Sequence, residues 1–147
     1  MAARPNYPGI FPTRIANLHT EPSQPIAGQP AVIKGYLQWW LVGLWLPLGG
    51  ATVQIYVNGA YVGFAVTSGD GSFEFPYTFQ LPGTYVVKAY YPGSSLYDPS
   101  SAVIDVTVLS PAQAAAQNIM LGLIIAAGVG LAAVLVVELV NLAKKQA

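Results

Sequence analysis

The sequence predicts an all-β sandwich of about seven strands followed by one C-terminal transmembrane α-helix. Three observations carry this. Short stretches of alternating apolar and polar residues recur from Thr13 to Leu109, and turn-forming pairs rich in Gly, Asn and Pro separate them. From Ile119 to Val137 the chain then runs without a charged or strongly polar side chain.

The strands can be read one by one. In FEFPYTFQL, Phe73, Phe75, Tyr77, Phe79 and Leu81 alternate with Glu74, Pro76, Thr78 and Gln80, which places the aromatic set on one buried face. TYVVKAYY repeats the pattern with Tyr85, Val87, Ala89 and Tyr91, and VIDVTV repeats it with Ile104, Val106 and Val108. TVQIYVNGAYVGFAVT breaks at Asn58-Gly59, a pair suited to the two positive-φ positions of a tight hairpin. SGDGS and LPGT supply the next turns.

Composition narrows the function classes. Of 147 residues only 8% are charged and 54% are hydrophobic, a balance expected of a chain in contact with lipid or many neighbours. Six basic and six acidic residues cancel, so there is no basic field for nucleic acid. The absence of cysteine excludes disulfides, thiolate metal sites and thiol catalysis.

The nineteen residues Ile119–Val137 would span roughly 30 Å as a helix, the hydrocarbon thickness of a bilayer, and the helix can continue to Leu142. Lys144 and Lys145 beyond it predict a cytoplasmic or virion-interior C-terminus with the N-terminal domain outside. Gly122, Ala126 and Gly130 recur every four residues and form a candidate helix-packing face, although Gly and Ala are also simply common in membrane helices. The N-terminal MAARPNYPGIFP has no apolar signal-peptide core. The expected organisation is an extended segment over 1–24, a sandwich over 25–109, a linker over 110–118, a membrane helix over 119–142 and a basic tail over 143–147.

The run from Ala51 to Val108 resembles the bacterial and archaeal Ig-like repeat domains of cell-surface proteins. Thr67, Gly71 and Phe73, then Leu81 to Tyr85, Tyr91 to Gly93, and Tyr97, Pro99 and Ser100 match that family's motifs in order, and AGQPAVIKGYL resembles its first core strand, with Gly35 and Leu37 in place. The resemblance covers roughly residues 25 to 109. It implies an Ig-like β-sandwich and a spacer, adhesive or assembly role rather than a particular chemistry.

One stretch departs from that family. A short polar loop is expected after Gln38; the chain instead has WWLVGLWL, residues 39–46. Counting strand reversals places it at the end of the sandwich opposite the exit to the C-terminal helix, beside SSLYDPSS. Three readings stand for it: it folds back into the domain's own core, it forms a protein interface anchored by Trp39, Trp40, Leu41, Leu44, Trp45 and Leu46, or it dips into a lipid surface. Water alone would make it an aggregation hazard.

No catalytic constellation is expected. His19 is the only histidine and has no second histidine to pair with. Asp70 in SGDGS reads as a turn residue, because the loop lacks the alternating carboxylates of a calcium site. Lys34, Lys88, Glu74 and Asp105 lie on strands, but alternation points Lys88 and Glu74 outward, against a buried isopeptide link. The sequence thus predicts no enzyme and no cofactor. It predicts a membrane-anchored structural subunit of a surface layer, filament or viral envelope, with membrane lipid and copies of itself or other subunits as partners. The alternative is a non-catalytic accessory subunit of a membrane enzyme or transporter complex.

Overall fold

The computed structural model describes residues 10–120. Eight strands occur among them: β1 Thr13–Glu21, β2 Pro30–Leu41, β3 Leu44–Pro47, β4 Thr52–Val57, β5 Ala60–Val66, β6 Ser72–Thr78, β7 Gly83–Tyr91 and β8 Ser100–Val108. They form two four-stranded antiparallel sheets. In the first, β1 and β6 flank β2, and β3 continues along the same side of β2 as β6; in the second the order is β5-β4-β7-β8. Leu37 marks the change of partner along β2: its N–H donates to Gly71 O and its carbonyl accepts from Leu48 N.

The alternation read from the sequence puts one face of each sheet into a common core. Ile33, Leu37 and Phe73 from the first sheet meet Val53, Ile55, Val87 and Ala89 from the second, each almost wholly buried. Gly35 is required here because the Phe73 ring lies over it; a Cβ at that position would sit 2.6 Å from Phe73 Cζ. All sixteen members of the core cluster lie between Ile15 and Val108, so the sandwich carries its own hydrophobic centre.

Two turns behave as their residues dictate. Asn58 and Gly59 take φ of 50° and 81° and close the β4–β5 hairpin. In the LPGT turn the Tyr85 hydroxyl donates to Leu81 O at 2.6 Å, the backbone-tethering tyrosine found at the corner of Ig-type sandwiches. Leu81 itself is exposed: β6 ends at Thr78, so the alternation that placed Leu81 with Phe79 stops before reaching it.

Three further expectations are corrected. The sandwich begins at Thr13 rather than residue 25, because β1 pairs along β2 from Thr13↔Trp39 to Glu21↔Val32. WWLVGLWL is not an inserted loop but the end of β2, a two-residue turn and β3, which brings the count to eight strands rather than about seven. The predicted linker is helical from residue 111. There Ser110 and Gln113 exchange hydrogen bonds, Gln113 N to Ser110 Oγ and Ser110 N to Gln113 Oε1, and Pro111 takes the first helical position; together they cap the helix start.

The chain forms two units, one ending at Leu109 and the other beginning at Ser110. Among the described residues no helix is long and apolar enough to cross a membrane. The predicted span reaches the described residues only at Ile119 and Met120, and Gly122, Ala126 and Gly130 lie outside them.

Candidate functional site

The hairpin of β2 and β3 is built by its pairing register. Trp39 opposes Leu46, Trp40 opposes Trp45, and Leu41 opposes Leu44 across the turn residues Val42 and Gly43. Successive side chains alternate between faces, so Trp40 and Trp45 share the outer face, and Trp39, Leu41, Leu44 and Leu46 share the inner one. Trp40 N donates to Pro12 O on the other side of β2. That makes Trp40–Trp45 a non-hydrogen-bonded pair, the kind in which opposed side chains come closest. Their ring centroids lie 5.1 Å apart at 60°.

The six predicted interface residues divide into two groups. Trp39 belongs to the domain: its ring meets Phe11 at 5.0 Å and Tyr97 at 5.5 Å, and its Nε1 donates to Pro47 O at 3.2 Å. Trp45 and Leu46 are half-buried. Leu41, Leu44 and Trp40 are exposed, by 36%, 63% and 37%. The protein-core and free-surface readings of the segment thus each describe part of it.

Sequence reasoning missed three residues of this site. Val42 stands at the tip with 90% of its surface exposed and φ of +43°; Gly43 follows at +87°. A two-residue turn with both φ positive normally takes Asn-Gly, and a β-branched residue there crowds its own backbone. Arg14 is the second: its Nε donates to Gln38 Oε1 at 2.7 Å and its guanidinium carbon lies 4.3 Å from the centre of the Trp45 ring. Phe11 is the third, bridging to Tyr97 and passing its carbonyl to Asp98 N.

The hairpin lies where strand counting put it. Thr13, beside Trp39, reaches Asp98 O and Ser100 Oγ at the start of β8. The far end of β8, Leu109, bridges to Ile26 just before β2 begins. The Trp segment therefore sits beside the SSLYDPSS loop, at the end of the sandwich opposite Leu109.

The remaining singled-out residues are dispersed. His19 contacts Asn17 O and Glu21 on β1, and Lys34 pairs with Glu21 at 2.9 Å and with Glu74 at 3.2 Å. Their proximity holds the Glu21 carboxyl below its ordinary range, chiefly through the Lys34 hydrogen bond, and raises Lys34, chiefly through Glu21. These groups line an open groove of about 260 Å³ with Tyr36 and Asp70. Asp70 Oδ1 accepts from Ser72 N and Oγ, first the hydroxyl and then the amide lowering its pKa; it is a turn residue, as expected. Lys88 points outward between the rings of Tyr56 and Tyr90. Asp105 is exposed on β8. Among the described residues no group of three or more His, Asp or Glu side chains is placed to hold a metal ion.

An uncharacterized protein of Archaeoglobus fulgidus is 30% identical to this chain over 103 residues, covering 69% of this chain and 70% of its own length. The chain belongs to that protein's family. No family model matches it. Two solved structures of the CARDB domain of a Pyrococcus furiosus protein are similar in outline. One is a solution NMR structure, with a TM-score of 0.42 at 15% identity over 67% of this chain and 94% of that domain. The other is a crystal structure in complex with di-metal ions, with a TM-score of 0.41 at 14% identity over 69% of this chain and 94% of that domain.

Proposed function

We propose that this protein is a non-catalytic docking subunit of a surface layer, filament or envelope. Its Ig-like sandwich is a rigid spacer held to a membrane through residues 119–142, and the β2–β3 hairpin is the contact element at the other end. The observation that carries the reading is Val42. A branched apolar residue held at φ +43° and left 90% exposed is unfavourable for the isolated domain on two counts, backbone strain and solvation. Both are relieved of their disadvantage if the tip is covered in the working state. The sandwich supports this as a platform, because β2 is anchored by β1 on one side and β6 on the other before it runs out into the hairpin.

The test is the variant Leu41→Ser/Val42→Asn/Leu44→Ser in the full chain. It is expected to keep the circular dichroism of the fold and to lose its place in the high-mass envelope fraction. A variant that folds and still assembles like wild type removes the hairpin from the function.

A further inference from the structure

We infer that the surface the hairpin engages is a lipid bilayer, and that the tip is a membrane-inserting wedge. This rests on the reading of the hairpin as the contact element and names its partner. Three features arranged in order along the hairpin support it.

The first is the tip itself. Leu41, Val42 and Leu44 present three aliphatic side chains and no polar one, with only Gly43 among them. The second is the Trp40–Trp45 pair, one residue behind, about 3 Å back along the strands. Indole rings favour the bilayer interface, where an apolar body and an N–H are both accommodated. The third is Arg14, which starts opposite Gln38, about 10 Å behind Leu41, and lays its guanidinium over Trp45. A headgroup layer is about 5–8 Å deep on each side of the hydrocarbon. With the aliphatic tip among acyl chains, the rings fall at the interface and the guanidinium at the phosphates, which it can bind with paired N–H donors.

Size separates lipid from protein as the occupant. A stable protein interface takes about 800 Å² from each partner and about 20–30 residues a side. The exposed apolar part of this hairpin is Trp40, Leu41, Val42 and Leu44 on a two-residue turn, far short of that. A bilayer needs no complementary shape, only apolar area at the right depth.

The chain's three tryptophans all lie in the hairpin, so intrinsic fluorescence reports on this element alone. Residues 10–110, which contain the whole core cluster, are mixed with phosphatidylcholine vesicles, with and without phosphatidylglycerol, bearing bromine on the acyl chains. Wild type is expected to show blue-shifted and bromine-quenched emission. The Leu41→Ser/Val42→Asn/Leu44→Ser variant should partition about tenfold or more weakly. Arg14→Gln should lose about fivefold on the anionic vesicles and much less on the neutral ones. Circular dichroism checks that both variants are folded.

Unquenched emission from folded wild type overturns the lipid assignment. If the triple variant nevertheless abolishes envelope assembly, the hairpin docks onto protein and the contact reading survives. A concentration-dependent blue shift without vesicles, accompanied by dimer in sedimentation, assigns the tip to a second copy and likewise overturns the lipid assignment. If neither quenching nor assembly responds to the variant, both readings fall.

Discussion

Trp39 and Trp40 are neighbours in sequence and opposites in structure: the Trp39 ring is wedged between Phe11 and Tyr97, and the Trp40 ring lies on the outer face against Trp45. The strand period of two separates them. Their substitutions should therefore differ. Trp39→Ala removes a ring packed against the core and should cost roughly 3 kcal/mol or more. Trp40→Ala removes a ring already 37% exposed and should cost no more than about 1 kcal/mol. Urea unfolding of residues 10–110 measures both, and equal losses would mean that the hairpin folds as one unit with the core.

The turn makes a prediction of the opposite sign. Val42→Asn puts a residue tolerant of positive φ where φ is +43°, and should stabilise the isolated domain by about 1 kcal/mol, raising the melting temperature by a few degrees. The same change should weaken docking. Thermal unfolding beside the vesicle assay displays this trade of stability against contact, and a lower melting temperature would show that Val42 is not strained.

Thr67 is buried, and its hydroxyl does two jobs: it donates to Leu48 O at 2.7 Å and accepts from Ala51 N at 3.0 Å. Thr67→Val keeps the shape and orphans both backbone groups, so a loss of about 1–3 kcal/mol is expected. Thr67→Ser should recover most of it. Denaturant midpoints at an unchanged slope check the pair, and a neutral Thr67→Val would place the hold on this loop elsewhere.

The exposed charges make a modest pH prediction. Glu21 and Asp70 have folded pKa values depressed below 4.5 and 3.8, so their contribution is present above those values and is lost as pH falls through the lower folded ones. Lys34 is raised above 10.5, so its contribution is present below that value and is lost as pH rises through the folded one. Stability should be flat between these limits. Glu21→Gln should soften the acid limb without moving the neutral plateau by much, because the Glu21–Lys34 pair is solvent-exposed and screened. A melting-temperature profile against pH at low and high salt tests this.

Much of the sandwich was legible as sequence because its signals are local. Alternating residues in 73–79, 85–91 and 104–108 fixed which side chains are buried, and Asn58-Gly59 fixed a hairpin, since strand period and positive-φ preference each act within a few residues. Local signals also carried the placement of the Trp segment opposite Leu109, because antiparallel reversal alone decides it. The capped helix start at Ser110-Pro111-Ala112-Gln113 was equally local, and was passed over under the expectation of a linker.

What only the tertiary structure decided involves partners far apart in the chain. β1 is a strand because β2 has an open side for it, and nothing in residues 13–21 alone announces that pairing. The tryptophan hairpin was hidden because Val42-Gly43 breaks the turn chemistry that marks such hairpins, and only the register of β3 on β2 overrides it. Whether an indole belongs to the core or to the surface then depends on Phe11, Tyr97 and Arg14, all remote in sequence from Trp39 and Trp45. Composition makes the segment apolar; burial is a property of neighbours, and those are set by the packing of two sheets.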